Sequence, residues 1–419
     1  MHVRYSYLPQ QFAEIDDLLE RVRALVQSGD FTLGKELETF EQRFAELIGT
    51  RHAIGVGSGT DALKLPLKAL GLGPGDEVIT AANTFIATAG AIAEIGARPV
   101  FVDCIDTFCM DVSQVEAAIT ERTKVVVPTH LYGTPCDMDA INAIAKEHDI
   151  QVIEDCAQST GARYKGVRVG HLGNHAYYTF GLTKNITTLS GAMITTDDPE
   201  VAASVRAEIE GGGYTDKQKC AREAITGVAM FVATHPMVYW ATVHPAVVIG
   251  NKLGKDPIHD RFGEAERRYD EVPSHYKAKG KALAVQAAVG MKQLERIEDL
   301  NGARVRNGRS LDAGLAHVPG LLTPEYPEGS EPIYMSFVVH HERRDALATA
   351  LRSRGVDTTV GYMSDLSTSE LFKEFQASCP NAKRAATECL HVPVHPNLKA
   401  ADVGHMIESV RAAVLEISN

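Results

Sequence analysis

No two cysteines in this sequence are spaced as Cys-x-x-Cys, and the seven present (Cys104, Cys109, Cys136, Cys156, Cys220, Cys379 and Cys389) are odd in number. Neither a disulfide framework nor a zinc site is indicated, so no metal is expected, and reduced thiols in the cytoplasm fit best. Positive charge is also short: 42 Lys and Arg stand against 54 Asp and Glu, a net charge of -12. That balance removes the attraction that draws proteins to nucleic acid or anionic lipid, and no nucleic acid partner is expected. The start, Met1-His2-Val3-Arg4-Tyr5, lacks the basic end and apolar core of a signal peptide. Low-complexity runs and blocks of like charge are missing too, so the chain is expected to fold throughout.

What is there suits a soluble protein of two parts. The 419 residues, 44% hydrophobic and 23% charged, exceed what one simple core usually holds. From about residue 53 to 195, short β-branched runs alternate with longer amphipathic stretches, as parallel strands joined by crossover helices would. The strands are expected at 53–56, 77–80, 99–102, 124–127, 151–154 and 192–195, with helices at 62–70, 87–95, 112–119 and 138–147 between them. Beyond residue 280 the character shifts to long helical stretches at 281–297 and 304–316, then short elements set apart by Pro319-Gly320 and by prolines between 324 and 332. The expectation is an α/β domain followed by a smaller α+β domain, joined by an N-terminal helix around 15–26.

Residues 224–251 carry no Asp, Glu, Lys or Arg, over a length that exceeds the roughly 20 residues of a membrane helix. Pro236 and Pro245, each preceded by a histidine, would break such a helix. A buried or interface helix pair, a lipid-facing patch and a true span remain the three readings, in that order of preference.

Three motifs carry chemistry. Gly55-Val56-Gly57-Ser58-Gly59-Thr60-Asp61 follows a strand and opens a helix, collecting free backbone N–H groups and a hydroxyl at the positive end of a helix dipole. Such a turn can cradle a phosphate, or be only a glycine-rich turn. Asp155 ends an apolar strand of the sheet, the edge where ligands usually bind, but a lone Asp there is often a helix cap. Lys184, 29 residues further on, sits among small polar residues, where an isolated lysine is ordinarily a surface charge. Together and in this order they supply what a pyridoxal cofactor requires: a cup for the phosphate, a carboxylate to keep the pyridine nitrogen protonated, and an amine to form the Schiff base.

At this point the chain resembles the DegT/StrS-type nucleotide-sugar aminotransferases, pyridoxal-phosphate enzymes of fold type I. The matching stretches are Gly57-Ser58-Gly59-Thr60-Asp61-Ala62-Leu63, Ala82-Asn83-Thr84-Phe85-Ile86-Ala87-Thr88, Gly96-Ala97-Arg98-Pro99-Val100-Phe101-Val102-Asp103, His130-Leu131-Tyr132-Gly133, Glu154-Asp155-Cys156-Ala157-Gln158-Ser159-Thr160-Gly161-Ala162 and Thr183-Lys184-Asn185. The resemblance implies an aspartate-aminotransferase-like large domain with a mostly parallel sheet at 31–295, and a small domain made of 1–30 and 296–419. It implies that Gly59 and Thr60 hold the phosphate, that Phe85 stacks on the pyridine ring, and that Asp155 pairs with its nitrogen. Gln158 would bond the ring hydroxyl, Thr179 would replace a serine near the phosphate, and Lys184 would be the catalytic lysine. His130 either approaches the site or serves the structure.

The chain departs from the family in three places. Leu189-Ser190-Gly191-Ala192 stands where a Gly-Glu-Gly-Gly turn is usual, and Lys279 and Lys281 align with an asparagine and an arginine, the asparagine reaching the partner subunit's phosphate. The region at about 211–280 is longer and more apolar than in a typical member. The expected activity is transfer of an amino group from an amino acid, L-glutamate by resemblance, to a keto sugar, with pyridoxamine 5′-phosphate as the intermediate cofactor form and a homodimer as the working unit. One alternative is the sugar dehydratase of the same fold, in which a histidine replaces the lysine. The other is a lipid-linked or hydrophobic keto acceptor met at a membrane surface through 224–251.

Overall fold

Nearly continuous burial along the strands of one sheet builds the centre of the molecule. The computed structural model describes residues 1–11, 15–28, 35–211, 282, 284–360 and 363–418. Its main sheet uses β1 (His52–Val56), β2 (Glu77–Ala81), β3 (Arg98–Val102), β4 (Thr123–Val127), β5 (Gln151–Asp155), β8 (His175–Thr179) and β9 (Ala192–Thr196); β6 (Arg163–Tyr164) and β7 (Val167–Arg168) form a small hairpin between them. The order is β1-β9-β8-β5-β4-β2-β3, and only β9 runs against its neighbours. All the expected strands are present; β8 is the one the sequence did not announce.

Successive side chains of a strand point to opposite faces, so one apolar run serves two layers. Ile54, Val78, Val125, Ile153, Tyr177 and Ile194 meet the helices Gly59–Ala69 and Pro199–Gly211 on one face. Their neighbours Ala53, Ala176, Tyr178 and Met193 face the helix Lys35–Ile48, while Ile79, Val126 and Val152 lie under Met138–Glu147. Both faces of the sheet are covered, as the crossover connections of a parallel sheet require.

The helix Lys35–Ile48 is fixed by aromatic packing. Phe44, with no exposed surface, meets the Tyr178 ring edge-on at 4.8 Å and the Phe180 ring at 5.6 Å. Phe40 fits because residue 290 is glycine: a Cβ there would lie 2.5 Å from its ring. The helix Ala284–Leu294, which carries Gly290, also receives the N-terminal helix Ile15–Ser28 through Leu25 against Ala284 and Ala288.

A separate apolar core lies in the C-terminal part. There β11 (Phe337–His340), β13 (Cys389–Val392) and β12 (Thr359–Val360) form an antiparallel sheet, and β10 (Ser330–Glu331) extends the β6–β7 hairpin. Leu311, Val339, Leu347, Leu351, Leu390, Val410 and Val414 fill this core, with helices from Ile297–Leu315, Arg344–Ser353 and Ala400–Ser418 around it. Val3 joins it, held between Gly355 and Asp357 by backbone hydrogen bonds of 2.8 and 2.9 Å.

Among the described residues no helix is long and apolar enough to cross a membrane. The segment 224–251 with Trp240, and Lys279 and Lys281, lie outside the described residues. The described cysteines are free and buried.

Truncating Phe44 removes a ring that three other aromatics contact. Phe44→Ala is expected to destabilise the fold by about 3–5 kcal/mol, and Phe44→Leu by less. Denaturant unfolding followed by circular dichroism checks this; an unchanged midpoint for Phe44→Ala would show the cluster to be dispensable.

Candidate active site

The C-terminal ends of β1, β2, β4, β5 and β8 open on one edge of the sheet, and each delivers part of the site. β5 ends in two carboxylates that the strand's period of two sends opposite ways. Glu154 points into the structure, where its oxygens accept the backbone N–H groups of Gly170, Leu172 and Gly173 at 2.7, 2.8 and 2.6 Å. His130 Nε2 lies 3.0 Å from the same carboxylate, and His130 Nδ1 accepts the Cys136 N–H at 3.1 Å, which leaves the proton on Nε2. His130, with no exposed surface, is thus a structural histidine fastening the loop after β4 to β5.

Asp155 points to the site edge and is 2% exposed. Its backbone is held on both sides: its N–H donates to Pro128 at 2.9 Å, and its carbonyl accepts from His130 at 3.0 Å. Oδ1 accepts the Ala157 N–H at 3.0 Å, and Oδ2 accepts the hydroxyls of Thr88 and Thr129 at 3.3 Å each. The Tyr177 hydroxyl lies 3.2 Å from that of Thr88; burial, and then the Asp155 charge, push its pKa well above the ordinary tyrosine value.

The cup forms where β1 gives way to the helix Gly59–Ala69. Ser58, in extended conformation, caps this helix: its Oγ accepts the Asp61 N–H at 3.2 Å and donates to the Asp61 carboxylate at 2.8 Å. Residue 59 must be glycine, because a Cβ there would lie 2.3 Å from Thr179 Cγ2. Thr179, the last residue of β8, donates to the Ala157 carbonyl at 3.5 Å. One threonine therefore touches the glycine turn after β1 and the turn behind Asp155.

Phe85 caps the helix Ile86–Glu94, one turn ahead of Thr88, so the aromatic and the hydroxyl that reaches Asp155 share a face. Half-buried Phe85 packs against a buried cluster that includes Phe108, Leu131, Tyr132 and Met363. Gln158 is buried, and its Oε1 accepts the Tyr132 N–H at 3.0 Å. That turns the amide's NH2 end away from Tyr132. Tyr132 holds a left-handed backbone (φ 56), fixed by its carbonyl accepting the Met335 N–H at 2.9 Å.

Half-buried Lys184 sits in a turn closed by its own N–H on the Gly181 carbonyl at 3.0 Å. Three side chains moor this connection. Asn185 donates to the Thr160 carbonyl at 2.9 Å and to Asn301 Oδ1 at 3.3 Å. Gln293 accepts the Thr187 N–H at 3.0 Å and donates to the Thr187 carbonyl. Gln286 donates to Ser190 Oγ at 2.7 Å, so the departing Leu189-Ser190 sequence is fastened as well.

The structure thus gathers Gly59, Thr60, Phe85, Asp155, Gln158, Thr179 and Lys184 at one sheet edge, while Lys279 is outside the described residues. Sequence reasoning passed over Thr84, Thr88, Thr129 and Tyr177. Thr84 and Thr88 stand inside a motif already singled out and Thr129 directly precedes His130, but nothing in spacing alone links them to Asp155.

An α/β sheet presenting a glycine cup, a strand-end aspartate and a turn lysine on one edge is the arrangement of fold-type-I pyridoxal-phosphate enzymes. The profile of the DegT/DnrJ/EryC1/StrS aminotransferase family matches residues 13–232 and 260–411, and the chain belongs to this family. The break in the match, 233–259, falls within the longer region expected at 211–280. The chain is 34% identical over 404 residues to the dTDP-3-amino-3,4,6-trideoxy-alpha-D-glucose transaminase of Streptomyces venezuelae, covering 95% of this chain and 92% of that protein. It is 32% identical to the UDP-2-acetamido-2-deoxy-3-oxo-D-glucuronate aminotransferase of Pseudomonas aeruginosa, over 96% of this chain and 97% of the other. Among solved structures, S. venezuelae DesV in complex with a ketimine intermediate superposes with a TM-score of 0.78 at 30% identity, covering 99% of this chain and 98% of that one. NtdA from Bacillus subtilis with bound pyridoxamine phosphate gives a TM-score of 0.76 at 25% identity, over 99% and 85%. The protein is an aminotransferase of fold type I, and its cofactor is pyridoxal 5′-phosphate with pyridoxamine 5′-phosphate as the alternate form.

The contact between residues 59 and 179 is open to a reciprocal test. Gly59→Ala is expected to cost about 1–3 kcal/mol by overpacking against Thr179 Cγ2. Thr179→Ser, which deletes that methyl, should return more than half of the loss in the double variant. Thermal unfolding of the four proteins checks this; purely additive effects would mean that the two residues do not meet.

Proposed function

We propose that this aminotransferase moves an amino group from an amino acid, L-glutamate in our reading, onto a keto sugar carried by a nucleotide. The acceptor class is supported by the names of the relatives, which act on dTDP-, UDP- and GDP-linked sugars. The observation that carries the reading is the convergence on one edge of Asp155, with an ionic carboxylate's donors around it, and the glycine cup that Thr179 closes.

These residues fit pyridoxal phosphate. The absence of a Cβ at Gly59 lets Thr179 close against the start of the helix Gly59–Ala69, where the first backbone amides and the Thr60 and Thr179 hydroxyls would hold the phosphate. A carboxylate has about four lone-pair positions; protein donors take three on Asp155, which leaves one for the ring N–H. Gln158 offers its NH2 end to the ring hydroxyl, and Phe85 supplies an aromatic face. Bound there, the cofactor supplies an electrophilic carbon and an electron sink. Lys184 would hold it covalently through Nζ and, once displaced by the substrate amine, would move the proton at that atom. A histidine at position 184 would instead suit the dehydratase.

The working unit in this reading is a homodimer, and Lys279, aligned with the family's asparagine, would supply positive charge for the cofactor phosphate. We also read the chain as a large domain at 31–295 and a small domain from the remainder, a division supported by the separate apolar core around Leu347 and Val410.

Borohydride reduction and peptide mapping should place the cofactor on Lys184, and Lys184→Ala should lose the label and lower turnover by at least about 10³-fold. Label on another lysine would overturn the assignment. Asp155→Asn should reduce kcat by about 10²-fold or more, with a much smaller change in cofactor affinity; near-normal kcat would make Asp155 a mere cap. A donor and acceptor screen following 2-oxoglutarate formation tests the substrates: turnover confined to simple 2-oxo acids would exclude the keto-sugar reading.

A further inference from the structure

The hydroxyls behind Asp155 form a connected group drawn from three separate strand ends. Thr84 and Thr88 follow β2, Thr129 follows β4 and Tyr177 lies on β8; they are exposed by 1%, 3%, 5% and 4% respectively. Thr84 Oγ1 lies 2.9 Å from Thr129 Oγ1 and 3.2 Å from Thr88 Oγ1, and Tyr177 reaches Thr88 at 3.2 Å. Thr88 and Thr129 both donate to Asp155 Oδ2 at 3.3 Å.

A hydroxyl has one proton to give. Thr88 and Thr129 give theirs to the carboxylate, so toward Thr84 and Tyr177 they can only accept. Thr84 has a single proton for two partners and donates to one of Thr88 and Thr129 at a time, while Tyr177 donates to Thr88. Two donors on Oδ2 and one on Oδ1 fix the orientation of the carboxylate plane.

We propose that Thr88, Thr129 and Tyr177, with Thr84 behind them, are positioning residues that hold the Asp155 carboxylate in the orientation that presents it to the cofactor's ring nitrogen. The inference rests on the reading of Asp155 as the partner of that nitrogen. It deepens that reading by assigning a role to hydroxyls that touch neither cofactor nor substrate.

The test compares apoenzyme reconstituted with pyridoxal phosphate and with its 1-deaza analogue, which has carbon in place of the ring nitrogen. Thr129→Val keeps the side-chain shape and deletes one hydroxyl, and Tyr177→Phe deletes another. With the natural cofactor, each should lower kcat and weaken cofactor binding in equilibrium titration, by about tenfold, the size of one hydrogen bond to a charged group, for Thr129→Val and by less for Tyr177→Phe, which loses a neutral one, with little change in KM. With the deaza analogue, neither substitution should add to the loss that the analogue itself causes, and Thr129→Ser should recover most of the effect seen with the natural cofactor. Equal losses with both cofactors would mean that the hydroxyls only support the fold, which overturns the proposal; so would no loss with either. Asp155→Asn measured in parallel separates the two levels. If it lowers turnover with the natural cofactor while the hydroxyl variants do not, the Asp155 reading stands and this inference falls; if it has no effect, the Asp155 reading itself has failed.

Discussion

Much of this architecture answers to one buried carboxyl group. A polar group removed from water is costly unless it is hydrogen-bonded, and Asp155 is 2% exposed. Its donors come from the turn after β5, the helix after β2 and the loop after β4. Satisfying Asp155 therefore requires three strand ends to arrive in register at one place. The backbone bonds that carry the β4–β5 pairing past the end of the strands, through Pro128 and His130, set that register.

Glu154 and Asp155 show how one strand separates structural from chemical work. The two carboxylates are adjacent in sequence, yet the first is surrounded by three loop amides and His130, while the second keeps acceptor capacity toward the site. A mooring beside the reactive group limits how far β5 can shift. The same logic recurs at the lysine turn, where Asn185, Gln286 and Gln293 fix the backbone that follows Lys184.

The parallel core and the chemical motifs were legible because each sits in one contiguous run. Apolar strands such as Val125-Val126-Val127 and the turn from Gly57 to Asp61 declare themselves locally. β8 did not: His175-Ala176-Tyr177-Tyr178-Thr179 has a single β-branched residue and takes its place from pairing with β5 and β9. The reversed direction of β9 was equally silent. The hydroxyl group around Asp155 was beyond reach for the same reason, since only the sheet order brings Thr84, Thr88, Thr129 and Tyr177 together. His130, which the sequence left between two roles, is settled by the Cys136 amide that occupies its Nδ1.

The moorings of the lysine turn also impose an order in time. Asn301, Gln293 and Gln286, which tie down Asn185, Thr187 and Ser190, all lie beyond residue 284. As the chain leaves the ribosome, the cup, the aspartate and its hydroxyls are synthesised well before these anchors. A nascent chain that stops short of residue 284 already contains the strands of the main sheet and the Asn185–Thr160 bond, but it lacks three of the side chains that tie the turn down. The turn around Lys184 therefore gains its full set of moorings only after the whole main sheet has been synthesised.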